Sequence, residues 1–266
     1  MEMYIFATIF KDSRNRIVMK ILVCISKVPD TTAKIAFTDN NSKFSQENVP
    51  FIINPTDEWY ALVRALELKE QAGAGAVTVI NVGPADNEQI IRKALAVGAD
   101  DAVRINAGED VEPFFVASQI ANYAKGKGYD IIFTGKETIS YNSFAVGGML
   151  AELLDLPFVS QATKIDMEGG KGIVHREIEG GEEVVEVSLP FLIAAQKGMA
   201  EQRIPNMKGI MSARTKTLEV VESIAVDTYS KIAHYEMPPA KSACKMIPAD
   251  NMDMLVEMLK KKEKVI

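Results

Sequence analysis

Between residues 19 and 155 short apolar runs alternate with amphipathic segments, and this alternation limits the possible folds more than any other feature of the chain. Residues 21–26, 77–82, 101–105 and 129–134 are apolar at nearly every position and too short for surface helices. They read as strands buried on both faces. Residues 59–71, 88–97 and 113–125 carry apolar side chains at helical spacing, and Gly98 ends the second of these stretches. Such alternation builds βαβ units. The fold class expected is α/β, a Rossmann-like, mostly parallel doubly wound sheet with an added antiparallel strand section and a C-terminal arm plus helix. The antiparallel section is residues 159–166, 173–179, 183–188 and 192–196, where apolar and polar residues alternate and glycine pairs mark tight turns.

Residues 197–212 show no clean period, a short segment at 218–221 follows, and a proline-bearing arm leads to a helix over 251–262. Three parts follow. Residues 1–18 form an extension ahead of a natural start at Met19, either non-native or from an upstream start codon. Residues 19–228 form a nucleotide-binding α/β domain. Residues 229–266 form a C-terminal arm and helix; the arm, 229–248, has too little apolar patterning to fold on itself and is expected to lie across another subunit or domain, with 229–266 packing on a partner subunit.

Composition narrows the function classes. A net charge of −6 argues against nucleic acid or an anionic membrane as partner. No apolar run reaches the ~18 residues of a membrane span, so membrane insertion is not expected. Two cysteines, Cys24 and Cys244, without a CxxC pair fit a reducing, cytoplasmic location. Two scattered histidines give no metal site. No nucleophile–base pair or pair of catalytic carboxylates is apparent, so an enzyme of its own is not expected.

The candidate site is the loop after the strand at 129–134. A glycine turn, Gly135-Lys136, opens a polar stretch that runs to a glycine-rich helix start. In open α/β sheets the loop from a parallel strand's carboxyl end to a helix N-terminus presents free amides and the positive end of the helix dipole to an anion. The loop matches neither GxxxxGK[ST] nor GxGxxG. Further back, Asn54-Pro55-Thr56-Asp57-Glu58 reads as a helix start, with Thr56 or Asp57 as cap and Glu58 set favourably to the dipole.

Six segments in register carry a resemblance. They are MKILVCISKVPD from Met19, NPxDE from Asn54 followed by ALVRALELKE, and GPADNEQIIRKALAVGAD from Gly83. The others are GKETI from Gly135 with AELLDLPFVS, REIEGG from Arg176 with EVVEVSLP, and ExR from Glu201 with IMxA from Ile210. Together they resemble the β subunit of the electron-transfer flavoprotein, bacterial type, over residues 19–263. The resemblance implies a carrier that pairs with a homologous α subunit holding most of the FAD, while this subunit buries a structural AMP. It implies acyl-CoA or related dehydrogenases as electron donors and a quinone oxidoreductase as acceptor. The AMP site it implies is Cys24, Asn54, Pro55, Thr56, Asp57, Val82 and the loop Gly135, Lys136, Glu137, Thr138, Ile139, Ser140, Tyr141, Asn142, Ser143, Phe144, Ala145 and Val146. Arg203, Met207 and Ile210 match its partner-recognition segment, and Arg176 and Glu177 match an edge that faces the flavin. Ser140 stands where the family has an acidic residue, Phe144 and Val146 where it has polar ones, and Gln202 where it has a proline. Two alternatives stay open: a bifurcating member that binds a second FAD in place of AMP and uses NADH, and a stand-alone adenine-nucleotide module.

Overall fold

The structure is a computed structural model that describes residues 18–109, 111–241 and 243–265. The expected extension over residues 1–18 lies outside these residues, apart from Val18. Nine strands form one sheet. Its parallel core is β1 (Met19–Cys24), with the short strands β2 (Lys27–Pro29), β3 (Phe37–Thr38), β4 (Lys43–Phe44) and β5 (Phe51–Ile53) following outside the sheet. Then come α1 (Glu58–Ala72), β6 (Gly75–Gly83), α2 (Glu88–Val97), β7 (Asp101–Asn106), α3 (Pro113–Ala124), β8 (Ile131–Gly135) and α4 (Ala145–Leu154). The second half runs β9 (Phe158–Glu168), β10 (Lys171–Ile178), β11 (Gly181–Ser188), β12 (Phe191–Ala195), α5 (Met207–Ala213), β13 (Leu218–Glu222) and α6 (Met252–Glu257). The strand order is β11-β10-β9-β12-β8-β1-β6-β7-β13, mostly parallel, with β9–β11 as the antiparallel part. This is the Rossmann-like α/β fold expected.

The strand period of two explains the layering. Ile21 and Val23 face a core built with Leu62 and Leu66 of α1 and Ile91 of α2. Leu22 and Cys24 face the other core, with Ile120 of α3 and Leu150 of α4. A strand buried on both faces has no polar side to show, hence its unbroken apolar run. Chain order moves outward on one side of β1 (β6, β7) and then restarts on the other (β8, β12). The switch point therefore lies between β1 and β8.

Several expectations need correction. Residues 192–196 were expected to be antiparallel, but β12 is parallel to both neighbours, β8 and β9, and buried along its whole length. Its Leu-Ile-Ala-Ala sequence is continuous, not alternating, which is the mark of a central strand. Ala145 and Val146, placed in the loop by the expected site, already belong to the first turn of α4. The segment 197–212 includes most of α5, whose Asn206 side chain accepts from the Gly209 amide at 2.8 Å as an N-cap. The C-terminal helix is α6 for one turn and a half, after which residues 258–263 widen into a π-helix.

Arg64 joins the two halves. β12 pairs with β9 only as far as Ala162. Beyond that point the Ile165 carbonyl accepts from Arg64 Nε at 3.1 Å and also from its Nη2. Nη1 reaches Glu67 at 2.8 Å and Nη2 reaches Asp166 at 3.1 Å. A guanidinium is needed because it supplies several donors in one plane from a mostly buried position.

Candidate functional site

At the switch point the turn after β1, the segment leading into α1 and the loop after β8 come together. Asn54 is fully buried; its Nδ2 donates to the Glu137 carbonyl at 2.9 Å, and its Oδ1 accepts from the amide and hydroxyl of Thr56. Asp57 accepts from the Glu137 amide at 3.2 Å. Both backbone groups of one loop residue, Glu137, are thus held by the segment before α1. The caps expected from Thr56 and Asp57 are absent: Asp57 occupies the N-cap position, but its carboxylate is spent on the loop. Burial raises the Asp57 carboxyl above the usual carboxylate range.

Glu58 lies in the first turn of α1, as its favourable placement to the dipole requires, and it is buried there. Its two oxygens accept from the Ser26 amide at 2.6 Å and the Ser26 hydroxyl at 2.7 Å. Burial pushes its pKa up to about 7, and the neighbouring Asp57 adds to that rise. Gly135 lets this cluster close up: a Cβ there would stand 3.0 Å from Glu58 Cγ and 3.1 Å from Asp57 Cβ. Only the register of β8 against α1 reveals the contact; the clue in the sequence was two adjacent acids after Asn-Pro.

The loop itself is pinned at Lys136, whose amide donates to the Ala195 carbonyl at 2.8 Å, and is closed by the Thr138 amide donating to the Ser143 carbonyl at 3.0 Å. Ser140, Tyr141, Asn142 and Phe144 are exposed, while Ile139, Ser143, Ala145 and Val146 are half-buried. Asn142 has φ +48°, the left-handed conformation that asparagine tolerates better than most residues. Where β8 meets α4, Thr134 Oγ1 is buried without a hydrogen-bond partner, beside the first turn of α4. A Cβ at Gly147 would stand 3.0 Å from it. Cys24 and Val82 sit at the carboxyl ends of β1 and β6. The Cys24 thiol is buried and pushed well above its usual range by burial and by Glu58, so it is inert. The arm crosses the outer side of the site: Tyr235 stacks on Phe37 at 4.7 Å, and its hydroxyl lies 3.5 Å from that of Tyr141.

The remaining predicted residues fall into two places. Arg176 and Glu177 reach the same sheet edge, since Arg176 pairs with Ala162, Ala162 with Ala195, and Ala195 with Gly135. Arg176 donates to Ser160 and Glu183; Glu177 accepts from Gln196 Nε2 at 2.6 Å. Arg203 lies against the end of α1, while Met207 and Ile210 lie on α5, which packs on α2. Arg203 forms a two-pronged pair with Glu70 at 2.7 and 2.9 Å, and Met207 is 75% exposed. A groove of about 190 Å³, lined by Ile52, Ile53, Pro55, Trp59, Gln202, Arg203 and Ile204, runs between this segment and the approach to α1.

The architecture defines a Rossmann-like α/β domain with a cluster of polar residues gathered at its switch point. Residues 42–226 match the family described as "Electron transfer flavoprotein domain". The chain is 35% identical to the electron transfer flavoprotein subunit beta of Bacillus subtilis, covering 93% of this chain and 100% of that one. It is 37% identical to the protein of the same name from Syntrophomonas wolfei, over 85% of this chain and 88% of the other. It is also 31% identical, over 92% and 99%, to the "Caffeyl-CoA reductase-Etf complex subunit CarD" of Acetobacterium woodii. The chain belongs to the electron transfer flavoprotein β-subunit family. Among the described residues no helix is long and apolar enough to cross a membrane.

Proposed function

We propose that this chain is the β subunit of a heterodimeric electron carrier and keeps a structural AMP at its switch point. With an α subunit that holds most of the FAD, it takes electrons from flavin dehydrogenases such as acyl-CoA dehydrogenases. It passes them toward the quinone pool through a quinone oxidoreductase, in the cytoplasm. FAD supplies the redox chemistry; the protein supplies binding and orientation. The observation that carries the AMP reading is the Glu137 backbone, whose carbonyl and amide are held by Asn54 and Asp57, which supports residues 135–146 acting as a cradle. The first amides of α4 and the unpartnered Thr134 hydroxyl offer polar contacts to a phosphate or ribose, with Lys136 as the nearby cation. Residues 229–266 pack on the α subunit, and Arg203, Met207 and Ile210 meet the dehydrogenase.

Co-expression with a candidate α subunit, followed by extraction of the bound cofactors, tests this. One FAD and one AMP per heterodimer is the expected result; failure to bind any α subunit refutes the reading. The relative named as a subunit of a caffeyl-CoA reductase-Etf complex favours one alternative. In it a second FAD replaces AMP, which would appear as two flavins per heterodimer and reduction by NADH.

A further inference from the structure

Glu58 is a buried carboxylate with no cation beside it among the described residues. The ionisable groups around it are Asp57 in the same turn and Cys24 on β1; on the loop after β8, Lys136 and Glu137 act on Asp57. Its hydrogen bonds come from Ser26 and from the backbone of Asn54. The turn after β1 is fixed on its other side as well, where Asn81 Nδ2 donates to the Ile25 carbonyl at 2.9 Å. Ser26 is therefore held in place whatever the state of Glu58, but its hydroxyl is not held in one role. Towards a carboxylate it must donate. Towards a carboxylic acid it accepts, because the acid needs an acceptor for its own proton, and the Ser26 hydrogen is then free.

We infer that Glu58 and Ser26 form a proton-linked latch at the switch point. One proton taken from solvent by Glu58 reverses the Ser26 hydrogen bond and frees the serine hydroxyl to donate to a ligand oxygen. Glu58 is a positioning residue in this scheme, since it touches the ligand only through Ser26. Burial places the change near neutral pH, where an ordinary carboxylate would already be fully ionised. The latch stands on the local geometry; its effect on affinity rests on the adenine-nucleotide reading.

The test uses the full chain and two readouts. Trp59, the single tryptophan, follows Glu58 directly, so its fluorescence reports the titration without ligand. Wild type should show a midpoint at about pH 7. Glu58→Gln should show none, and Ser26→Ala, which removes a charge-assisted bond to the carboxylate and a weaker one to the acid, should raise the midpoint by about one unit at most. AMP affinity is then measured from pH 6 to 8. The phosphate of AMP titrates in the same range, so wild type is read against Glu58→Gln, and should weaken by about fivefold more than the variant over that span. A wild-type profile with no midpoint, or a midpoint retained in Glu58→Gln, overturns the latch. Should Glu58→Gln fail to fold, an unchanged midpoint in Ser26→Ala overturns it instead. Equal pH slopes for AMP in the two proteins overturn the link to the ligand. A clear midpoint with no AMP binding at any pH upholds the latch and refutes the proposed ligand.

Discussion

Replacing Arg64 by methionine separates the two kinds of interaction that this side chain makes. Methionine retains most of the apolar stem, so little packing is lost. What goes is the guanidinium: both donors to the Ile165 carbonyl, and the pairs with Glu67 and Asp166. The carboxylates are 28% and 41% exposed, so each pair contributes under ~1 kcal/mol. The carbonyl is different, because a buried acceptor left without a donor costs roughly 1–3 kcal/mol. A total loss of about 3 kcal/mol is expected, or a fall in Tm of roughly 6–12 °C for a domain of this size. Urea unfolding of Arg64→Met beside the double variant Glu67→Gln, Asp166→Asn measures both. If the double variant costs as much as Arg64→Met, the ion pairs dominate and the argument from the carbonyl is wrong. A loss below ~0.5 kcal/mol for Arg64→Met would show that water replaces the guanidinium freely, which contradicts the burial.

The pH dependence of stability has a definite sign at Glu58. Its folded pKa is raised from 4.5 to about 7, so its contribution is fully present below pH 4.5 and is lost as the pH rises through 7. The span is worth roughly 3 kcal/mol, and denaturation of Glu58→Gln beside wild type at pH 5 and pH 8 should show the variant gaining relative stability at the higher pH. Asn54→Ala releases the Glu137 carbonyl and should weaken AMP binding by about tenfold, read by calorimetry, with a stability loss of roughly 1–2 kcal/mol. Met207→Ala should leave the melting temperature within a degree or two, because the side chain is exposed, yet slow electron transfer from an acyl-CoA dehydrogenase severalfold. Equal rates for variant and wild type would place the docking surface elsewhere.

The parallel half of the fold was legible because burial on both faces leaves continuous apolar runs, as in residues 21–26 and 77–82. Helix α2 was read to the residue, since Glu88 opens it and Gly98 ends it with φ +149°. β12 was misread through its neighbours: three alternating strands precede it, and nothing local shows that the chain returns to the sheet's middle. The candidate site was legible as a loop but not as a cluster. Gly135 looked like a turn residue, whereas its lack of a Cβ serves the approach of α1, a contact between residues nearly eighty positions apart in sequence. Glu58 was read from helix electrostatics alone, which place it in the first turn but say nothing of burial. The burial comes from the turn after β1, and no pattern within the helix encodes it.

The position of β12 also governs the order in which this protein can be made. β8 and β9 are both complete by residue 168, yet they are not neighbours; the strand between them is supplied only at residues 191–195. Until then the growing chain carries an unpaired inner edge on β8, and the antiparallel β9–β11 meander has nothing to anchor it to the rest. A chain arrested before Phe191 is therefore expected to leave the β8 edge open to self-association, an edge that residues 191–195 cover, while the outer edge of β7 waits for β13 at residues 218–222.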